Sequence, residues 1–330
     1  MKHANISFFI PHIGCPLRCS FCDQRTISGE AKAPTAYEIK AELTAAYDRI
    51  TDKSNTEIAF FGGSFTAIKR EYMTALLDTA FEFVGDYGFA GIRISTRPDF
   101  IDEEILGILK SRGVTSIELG AQSMSDEVLV ANRRGHTAQD VKNASALIKE
   151  HGFELGLQMM TGLYKSTPES DIKTAREIIA LSPDTVRIYP VSVIDGTELA
   201  ELYKSGVYKL IPFNDMISLC ADLLLMFYKA EIEVIRCGLH ASQDVESRLV
   251  AGYYHPAFKD LCEGHIYREL IEKAIRQKPD SKLKIAVGER FLSTALGQKK
   301  TNIEYFKRSG CDVTLLPDKS VLKYEIKVLE

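Results

Sequence analysis

Short apolar runs alternate with amphipathic helical patterns six times in the first 190 residues, and this alternation constrains the fold more than any other feature. The predicted strands lie at residues 6–11, 57–61, 92–95, 116–119, 154–159 and 185–189. The helical patterns between them lie at residues 36–50, 69–87, 102–112, 137–151 and 169–181. Because such repeats join parallel strands through right-handed crossovers, the pattern favours a closed or open β/α barrel over an antiparallel sheet.

The alternation changes after residue 189, which suggests a second part of the chain. Helices are predicted at residues 196–204, 214–230 and 255–276, and strands at 233–236, 283–287, 312–316 and 321–328. The 330 residues suffice for a barrel with an addition, or for about two domains of ordinary size. We predict a barrel over residues 1–240 and a small C-terminal α/β extension over residues 241–330.

Composition excludes several classes of protein. Apolar residues make up 45% and charged residues 26% of the chain, which is typical of a folded domain and not of a disordered or fibrous one. The net charge of −4 argues against a chain that coats a polyanion, although a local basic groove is still compatible with it. We expect a cytoplasmic protein without membrane contact, because the sequence has neither a secretory signal nor an apolar run of about 20 residues.

Three of the seven cysteines lie within eight residues, directly after the first predicted strand. Cys15, Cys19 and Cys22 form a Cys-x3-Cys-x2-Cys motif. Three thiolates hold three irons of a cubane cluster and leave the fourth iron open to a small molecule. Soft thiolates also select zinc, for which His12 or a distant cysteine would have to supply further ligands. A redox pair formed by Cys19 and Cys22 is the remaining alternative.

This cysteine spacing, in this position, resembles that of the radical S-adenosylmethionine (SAM) enzymes, and the resemblance covers roughly residues 6–240. Phe21 also matches the aromatic residue that the family has between its last two cysteines. The resemblance implies a partial (β/α)6 TIM-like barrel and a [4Fe-4S] cluster on Cys15, Cys19 and Cys22, with SAM on the fourth iron. It further implies reductive cleavage of SAM to a 5′-deoxyadenosyl radical, with an electron donor of the flavodoxin or ferredoxin type.

Candidate SAM-binding residues lie where successive strands end. Paired glycines let backbone carbonyls approach the SAM ammonium closely, and a guanidinium fork matches a carboxylate. The candidates are Gly62, Gly63 and Ser64 after the second strand, Ser95 in the third, Gln122 after the fourth, Arg133 and Arg134 before the next helix, and Gln158 in the fifth. Each one alone also fits a turn or surface position, but a shared site explains the whole set better. No catalytic residue is assigned.

Six further strings resemble the radical SAM portion of the elongator catalytic subunit, more loosely through about residue 270. They are Thr-Arg-Pro-Asp at 96–99, Glu-Leu-Gly-Ala-Gln-Ser at 118–123, Arg-Gly-His-Thr at 134–137, Met-Met-Thr-Gly-Leu at 159–163, and Arg-Ile-Tyr-Pro at 187–190 followed by Asp-Gly-Thr-Glu at 195–198. That family modifies the wobble uridine of tRNA, so the resemblance implies an RNA substrate, with tRNA first. Anaerobic coproporphyrinogen oxidases are more distant relatives on the same motifs.

The sequence departs from that subunit in two ways. The subunit has a wider gap between its first two cysteines and an N-terminal RNA-binding extension, and this chain ends at Glu330, before an acetyltransferase domain would fit. We therefore expect no acetyl transfer within this chain. Whether a separate protein serves as an acyltransferase partner is left open by the sequence. Radical chemistry on a small molecule or tetrapyrrole, and a non-catalytic metal-binding module, are the alternative functions.

The other four cysteines and one histidine give weaker signals. Cys237 and His240 follow a predicted strand and are candidates for substrate contact or hydrogen donation, although burial in the core explains them at least as well. Cys220, Cys262 and Cys311 are too dispersed along the chain to predict a second cluster. We interpret these three as small buried hydrophobic residues.

Overall fold

A computed structural model describes residues 4–11, 13, 15–30, 32–240, 242–277 and 282–329. Its strands are β1 (Ala4–Ile10), β2 (Thr56–Gly62), β3 (Gly91–Thr96), β4 (Val114–Gln122), β5 (Glu154–Thr161), β6 (Thr185–Pro190), β7 (Ser192–Ile194), β8 (Glu233–Cys237), β9 (Leu249–Gly252), β10 (Lys282–Gly288), β11 (Asp312–Asp318) and β12 (Ile326–Leu329). Each predicted strand of the barrel is present and differs from its prediction by three residues or fewer at either end.

The helices are α1 (Gln24–Ser28), α2 (Ala36–Arg49), α3 (Arg70–Phe81), α4 (Glu103–Lys110), α5 (Asp126–Ala131), α6 (Ala138–Glu150), α7 (Pro168–Ala180), α8 (Glu198–Lys204), α9 (Phe213–Lys229), α10 (Gln243–Arg248), α11 (Phe258–Gln277), α12 (Leu292–Leu296) and α13 (Thr301–Arg308). Short 3-10 turns lie at Lys53–Asn55, Phe65–Ala67, Pro98–Phe100, Glu289–Phe291 and Gln298–Lys300. No helix in the described ranges has the length and apolar character needed to cross a bilayer.

One parallel sheet carries the barrel. Its order is β1-β2-β3-β4-β5-β6-β8, so strands that follow one another in the chain also lie side by side. The sheet curls into an open barrel with helices over its outer face, which confirms the predicted α/β class. Beyond the six predicted barrel strands, β8 adds a seventh, which pairs in parallel with β6 from Thr185↔Glu233 to Ile188↔Cys237.

The C-terminal part forms its own small sheet. Strand β10 lies between β11, to which it is parallel, and β12, to which it is antiparallel. A separate antiparallel pair joins β7 to β9 on the other side of the predicted 240/241 boundary. The residues just after that boundary are thus hydrogen-bonded to the barrel region, and the two-part division remains a prediction.

Two elements are shorter than predicted by at least four residues. Helix α3 ends at Phe81 and not at residue 87, because Gly85 adopts φ +139° in the turns that follow. Strand β12 starts at Ile326 and not at residue 321, because Tyr324 lies in a turn with φ +58°. Neither change touches the barrel mouth.

Candidate functional site

A cavity of about 580 Å³ opens at the carboxyl ends of the barrel strands and extends into the barrel interior. Its volume is typical of sites for small molecules and cofactors. Its lining includes Cys15, Cys19, Cys22, Gly62, Gly63, Ser64, Ser95, Gln122, Arg134 and Gln158. The structure thus brings together the three candidate metal ligands and seven of the eight candidate SAM-binding residues. Arg133 is the exception.

The loop that carries the cysteines is hydrogen-bonded to neighbouring elements on both sides. The Ser20 hydroxyl donates to the Asn132 side-chain oxygen at 2.9 Å, and the Ser20 backbone N–H donates to the Asn132 carbonyl at 3.1 Å. The Leu199 backbone N–H donates to the Ser20 carbonyl at 2.8 Å. Asp23 caps α1, and Arg248 donates to its carboxylate at 2.8 Å. These bonds hold the segment between Cys19 and Asp23 at the cavity wall.

Gly63 lets the cysteine loop approach the end of β2. A Cβ at this position would lie 2.8 Å from the Ile13 carbonyl oxygen, 3.0 Å from that of Ile10 and 3.5 Å from the Cys15 sulfur. Gly62 has φ +110°, which disfavours any side chain. Gly63 thus makes room for the loop that carries Cys15, and Gly62 makes room for the end of β1. Their predicted role in binding SAM stays a prediction.

The three thiols lie in a protected environment. Burial raises the pKa of Cys22 to about 12, and burial raises the pKa of Cys15 against an opposing hydrogen bond from the Ser64 backbone. Arg134 donates to the Cys19 sulfur at 3.1 Å. Thiols with raised pKa values stay protonated at neutral pH unless a bound cation stabilises the thiolates, so this donor set suits a metal centre.

The arrangement of the three thiols helps to distinguish a site for a single metal ion from a site for a cluster. Among the residues that the structure describes, no three His, Cys, Asp or Glu side chains converge as ligands of a single metal ion. A cubane cluster does not need such convergence, because each cysteine binds a different iron. Zinc needs four ligands on one ion, and its candidate ligand His12 lies outside the described residues. The absence of a single-ion site therefore does not count against a cluster held at three corners.

Polar atoms without partners border the cavity beside the cysteines. They include the Ser95 hydroxyl oxygen, the Gln122 side-chain oxygen and the Arg134 Nε, all buried and without a hydrogen bond among the described atoms. The Ser192 hydroxyl oxygen, on another part of the lining, also lacks a partner there. Gln122 also has φ +64°, an uncommon backbone conformation for a residue other than glycine. Buried polar groups are normally satisfied, so these atoms on one cavity indicate a polar ligand that supplies the missing partners.

Two other candidate SAM-binding residues, Arg133 and Ser64, make contacts that the sequence did not predict. Arg133 is mostly exposed, pairs with Glu198 at 2.8 Å and lies outside the cavity lining. Ser64 lines the cavity, but its hydroxyl lies 2.9 Å from that of Thr96 and accepts from the Arg97 backbone at 3.3 Å. Of the two neighbouring arginines, the geometry therefore favours Arg134 as a ligand-binding residue.

The inner face of the barrel carries a buried charge network that sequence reasoning missed. Arg187 contacts both carboxylate oxygens of Glu118, at 2.7 and 2.8 Å. Arg93 lies 2.6 Å from Glu57, 2.9 Å from Glu154 and 3.5 Å from Glu118. Gln158 donates to Glu118 at 3.2 Å and thereby links this network to the candidate SAM-binding residues.

A signal for this network is present in the strand sequences. Arg93, Glu118 and Arg187 each stand between apolar residues in a strand, so alternation places all three on the face opposite the packed helices. When several barrel strands each carry one charged residue at a similar distance along the strand, the sequence would predict a polar barrel interior. Reading the strands as uniformly apolar obscured this pattern.

His240 and the remaining cysteines lie in different parts of the structure. His240 lines the cavity, whereas Cys237 is buried away from it. Cys220, Cys237 and Cys262 are buried close to one another, because α9, β8 and α11 pack together. The predicted burial of Cys220 and Cys262 is confirmed. Cys311 is partly exposed, so its predicted burial is wrong.

Two family models match the chain. One, described as the radical SAM superfamily, matches residues 9–178, and the other, described as the radical SAM C-terminal domain, matches residues 183–268. The tRNA uridine(34) acetyltransferase of Methanocaldococcus infernus is 32% identical over 179 residues, which are 48% of this chain and 33% of that protein. Human elongator complex protein 3 is 37% identical over 139 residues, 41% of this chain and 25% of that protein.

The first curated relatives are longer proteins, because the matches span only 22% to 53% of their lengths. Among solved structures, Elp3 from Methanocaldococcus infernus with an N-terminal deletion has a TM-score of 0.63 at 22% identity, covering 88% of this chain and 67% of that one. Coproporphyrinogen III oxidase from Escherichia coli has a TM-score of 0.50 at 18% identity, covering 69% and 53%. At these identities the likeness concerns the fold.

Proposed function

Because the chain belongs to the radical SAM superfamily, we propose that it binds a [4Fe-4S] cluster through Cys15, Cys19 and Cys22 and cleaves SAM reductively. The observation that carries this proposal is the shared cavity, in which three cysteines stand beside three buried polar atoms that lack partners. A cluster with one open iron accounts for the thiols, and a polar cosubstrate on that iron accounts for the polar atoms.

The residues divide by the chemistry that each supplies. Arg134 holds the Cys19 sulfur with one nitrogen and the Gly120 carbonyl with another, at 3.1 and 2.7 Å, which leaves Nε for the SAM carboxylate. Ser95 and Gln122 offer their unpartnered oxygens to the amino acid or ribose part of SAM. Gln158, fixed by Glu118, is the remaining side chain for that part. Gly63 lies against the cysteine loop, and the Ser64 backbone hydrogen-bonds to the Cys15 thiol. With Gly62, these residues would form the wall that the SAM ammonium approaches.

When bound, the reduced cluster would supply the electron that cleaves SAM to methionine and a 5′-deoxyadenosyl radical. The protein's own task is then to exclude water and stray hydrogen donors. The apolar rings of Phe9 and Phe61 and the side chain of Met160 border the same cavity. The Glu118 network closes the barrel below it, so the substrate would enter from the mouth.

For the substrate we propose RNA, with tRNA as the first candidate. The names of the curated relatives support this, since the matched segments come from tRNA uridine(34) acetyltransferases and elongator complex proteins. The reductant would be a flavodoxin- or ferredoxin-type protein. Acyl transfer, if coupled to this reaction, would come from a separate acyltransferase partner.

Replacing Arg134 by Gln is expected to weaken SAM binding by at least about tenfold, because a charge-assisted hydrogen bond contributes about 1.5–3 kcal/mol. Arg133→Gln is the matched control and should bind SAM as the unaltered protein does, because Arg133 lies outside the cavity. Equilibrium dialysis of the anaerobically reconstituted proteins, normalised to iron content, measures both. Equal affinities for the two variants would remove Arg134 from the SAM site.

Filter binding of total tRNA to the reconstituted protein tests the proposed substrate. We expect an affinity that falls as KCl rises from about 50 to 200 mM, because phosphate contacts release counterions. RNA of the same length without tertiary structure is the comparison and should bind more weakly. Absence of salt-sensitive tRNA binding would remove RNA as the substrate and would favour a small molecule or tetrapyrrole.

A further inference from the structure

The cavity carries more positive charge than the proposed cofactors use. Its described lining includes Arg18, Arg97, Arg134, Arg187 and Arg236, against Glu118 as the acidic residue. Two of these arginines are already neutralised. Arg187 pairs with Glu118 at 2.7 and 2.8 Å, and Arg97 pairs with Asp99 at 2.9 and 2.7 Å.

Of the other three arginines, two lie on the cysteine side of the cavity. Arg134 contacts the Cys19 sulfur, and Arg18 belongs to the cysteine loop itself. Arg236 lies elsewhere, on β8, which forms the edge of the sheet opposite to β1. Arg236 is exposed, and no carboxylate in the described part of the chain pairs with it. Its guanidinium is therefore available to a ligand.

The neighbours of Arg236 leave its positive charge uncompensated. In the pairing of β6 with β8, Arg236 lies beside Arg187, whose charge is balanced by Glu118. His240 lines the cavity four residues further on, and burial together with the Arg236 charge lowers the pKa of its imidazole. A cation that reaches a cavity without a counterion is a binding site for an anion.

We propose that Arg236 binds an anionic oxygen group of the substrate at the β8 edge of the cavity. For an RNA substrate this group is the phosphate next to the nucleotide that enters the barrel. The assignment rests on the proposed function and deepens it, because it names a residue that would bind the non-reacting part of the substrate. A guanidinium presents two parallel donors to a phosphate or carboxylate, which a lysine cannot reproduce.

The test compares Arg236→Gln and Arg236→Lys with Arg276→Gln, a control on α11 whose arginine is 78% exposed and lies outside the cavity. In tRNA filter binding, Arg236→Gln is expected to lose about tenfold in affinity and about one unit of the salt slope. Arg236→Lys should keep the slope and recover part of the affinity. Arg276→Gln should match the unaltered protein.

A second measurement does not depend on RNA. Inorganic pyrophosphate should raise the melting temperature of the unaltered protein and of Arg276→Gln, and this shift should disappear in Arg236→Gln. If tRNA does not bind but Arg236→Gln alone loses the pyrophosphate shift, the RNA proposal fails and the anion site stands. If Arg236→Gln retains both the tRNA affinity with its slope and the pyrophosphate shift, the anion site is wrong, whatever the substrate.

Discussion

Cys19→Ala is expected to lose the intact [4Fe-4S] cluster and to lower reductive SAM cleavage by at least about a thousandfold, because one corner of the cluster then lacks its thiolate. Cys19 is the most buried of the three candidate ligands, with 9% of its surface exposed, and it is the one that Arg134 contacts. Iron content, the visible spectrum of the anaerobically reconstituted protein and the yield of 5′-deoxyadenosine measure the effect.

Cys237→Ala is the matched control for this experiment. Cys237 is also buried, with 5% of its surface exposed, but it lies with Cys220 and Cys262 outside the cavity. It should keep the cluster and the SAM cleavage, although the lost sulfur will cost some stability. A Cys19→Ala protein with a full cluster and undiminished SAM cleavage would show that the ligand assignment is wrong.

Glu118→Ala is expected to lower the free energy of unfolding by about 3–5 kcal/mol, since it leaves the buried Arg187 without its carboxylate. Glu118 is 1% exposed and contacts Arg187, Arg93 and Gln158. A domain is typically stable by only about 5–15 kcal/mol, so this is a large part of the total. Urea unfolding of the cluster-free protein measures the difference.

Glu82→Ala provides the comparison for a surface ion pair. Glu82 lies 2.7 Å from Lys40, with both side chains about half exposed at 52% and 54%. Its loss should cost less than about 1 kcal/mol, because solvent screens the pair. If the Glu118 and Glu82 variants are equally stable, the interior network does not hold the barrel together.

The barrel was predictable because each strand is a local pattern. Strands β1 to β6 are apolar runs that end at turn residues such as Gly62-Gly63, and a helix with the expected period lies between each of these strands and the next. The seventh strand was predicted at residues 233–236, within the barrel region, but it was not counted among the barrel strands, because the sequence does not show which sheet a strand joins. Only the pairing of β8 with β6 decides that.

The candidate site was predictable to the extent that it follows from strand order. Carboxyl ends of parallel strands meet at one end of a barrel, so residues as far apart as Cys15 and Gln158 were expected together. Arg133 and Arg134 were not separable, because adjacent residues in a turn point in directions that local sequence does not determine. Arg133 faces Glu198, and Arg134 faces Cys19.

Contacts between distant helices could not be predicted at all. Cys220, Cys237 and Cys262 have no shared spacing, and they meet only because α9 and α11 pack against the end of β8. The pairing of Arg187 with Glu118 likewise depends on the curl of the sheet, which brings β4 and β6 side chains together across β5.

Reductive SAM cleavage by the unaltered, anaerobically reconstituted protein tests the central claim most directly. With dithionite as the electron source, we expect about four irons per chain and the formation of methionine and 5′-deoxyadenosine in equal amounts. A protein that takes up no iron, or one that holds a full cluster yet leaves SAM intact under these conditions, would contradict the account.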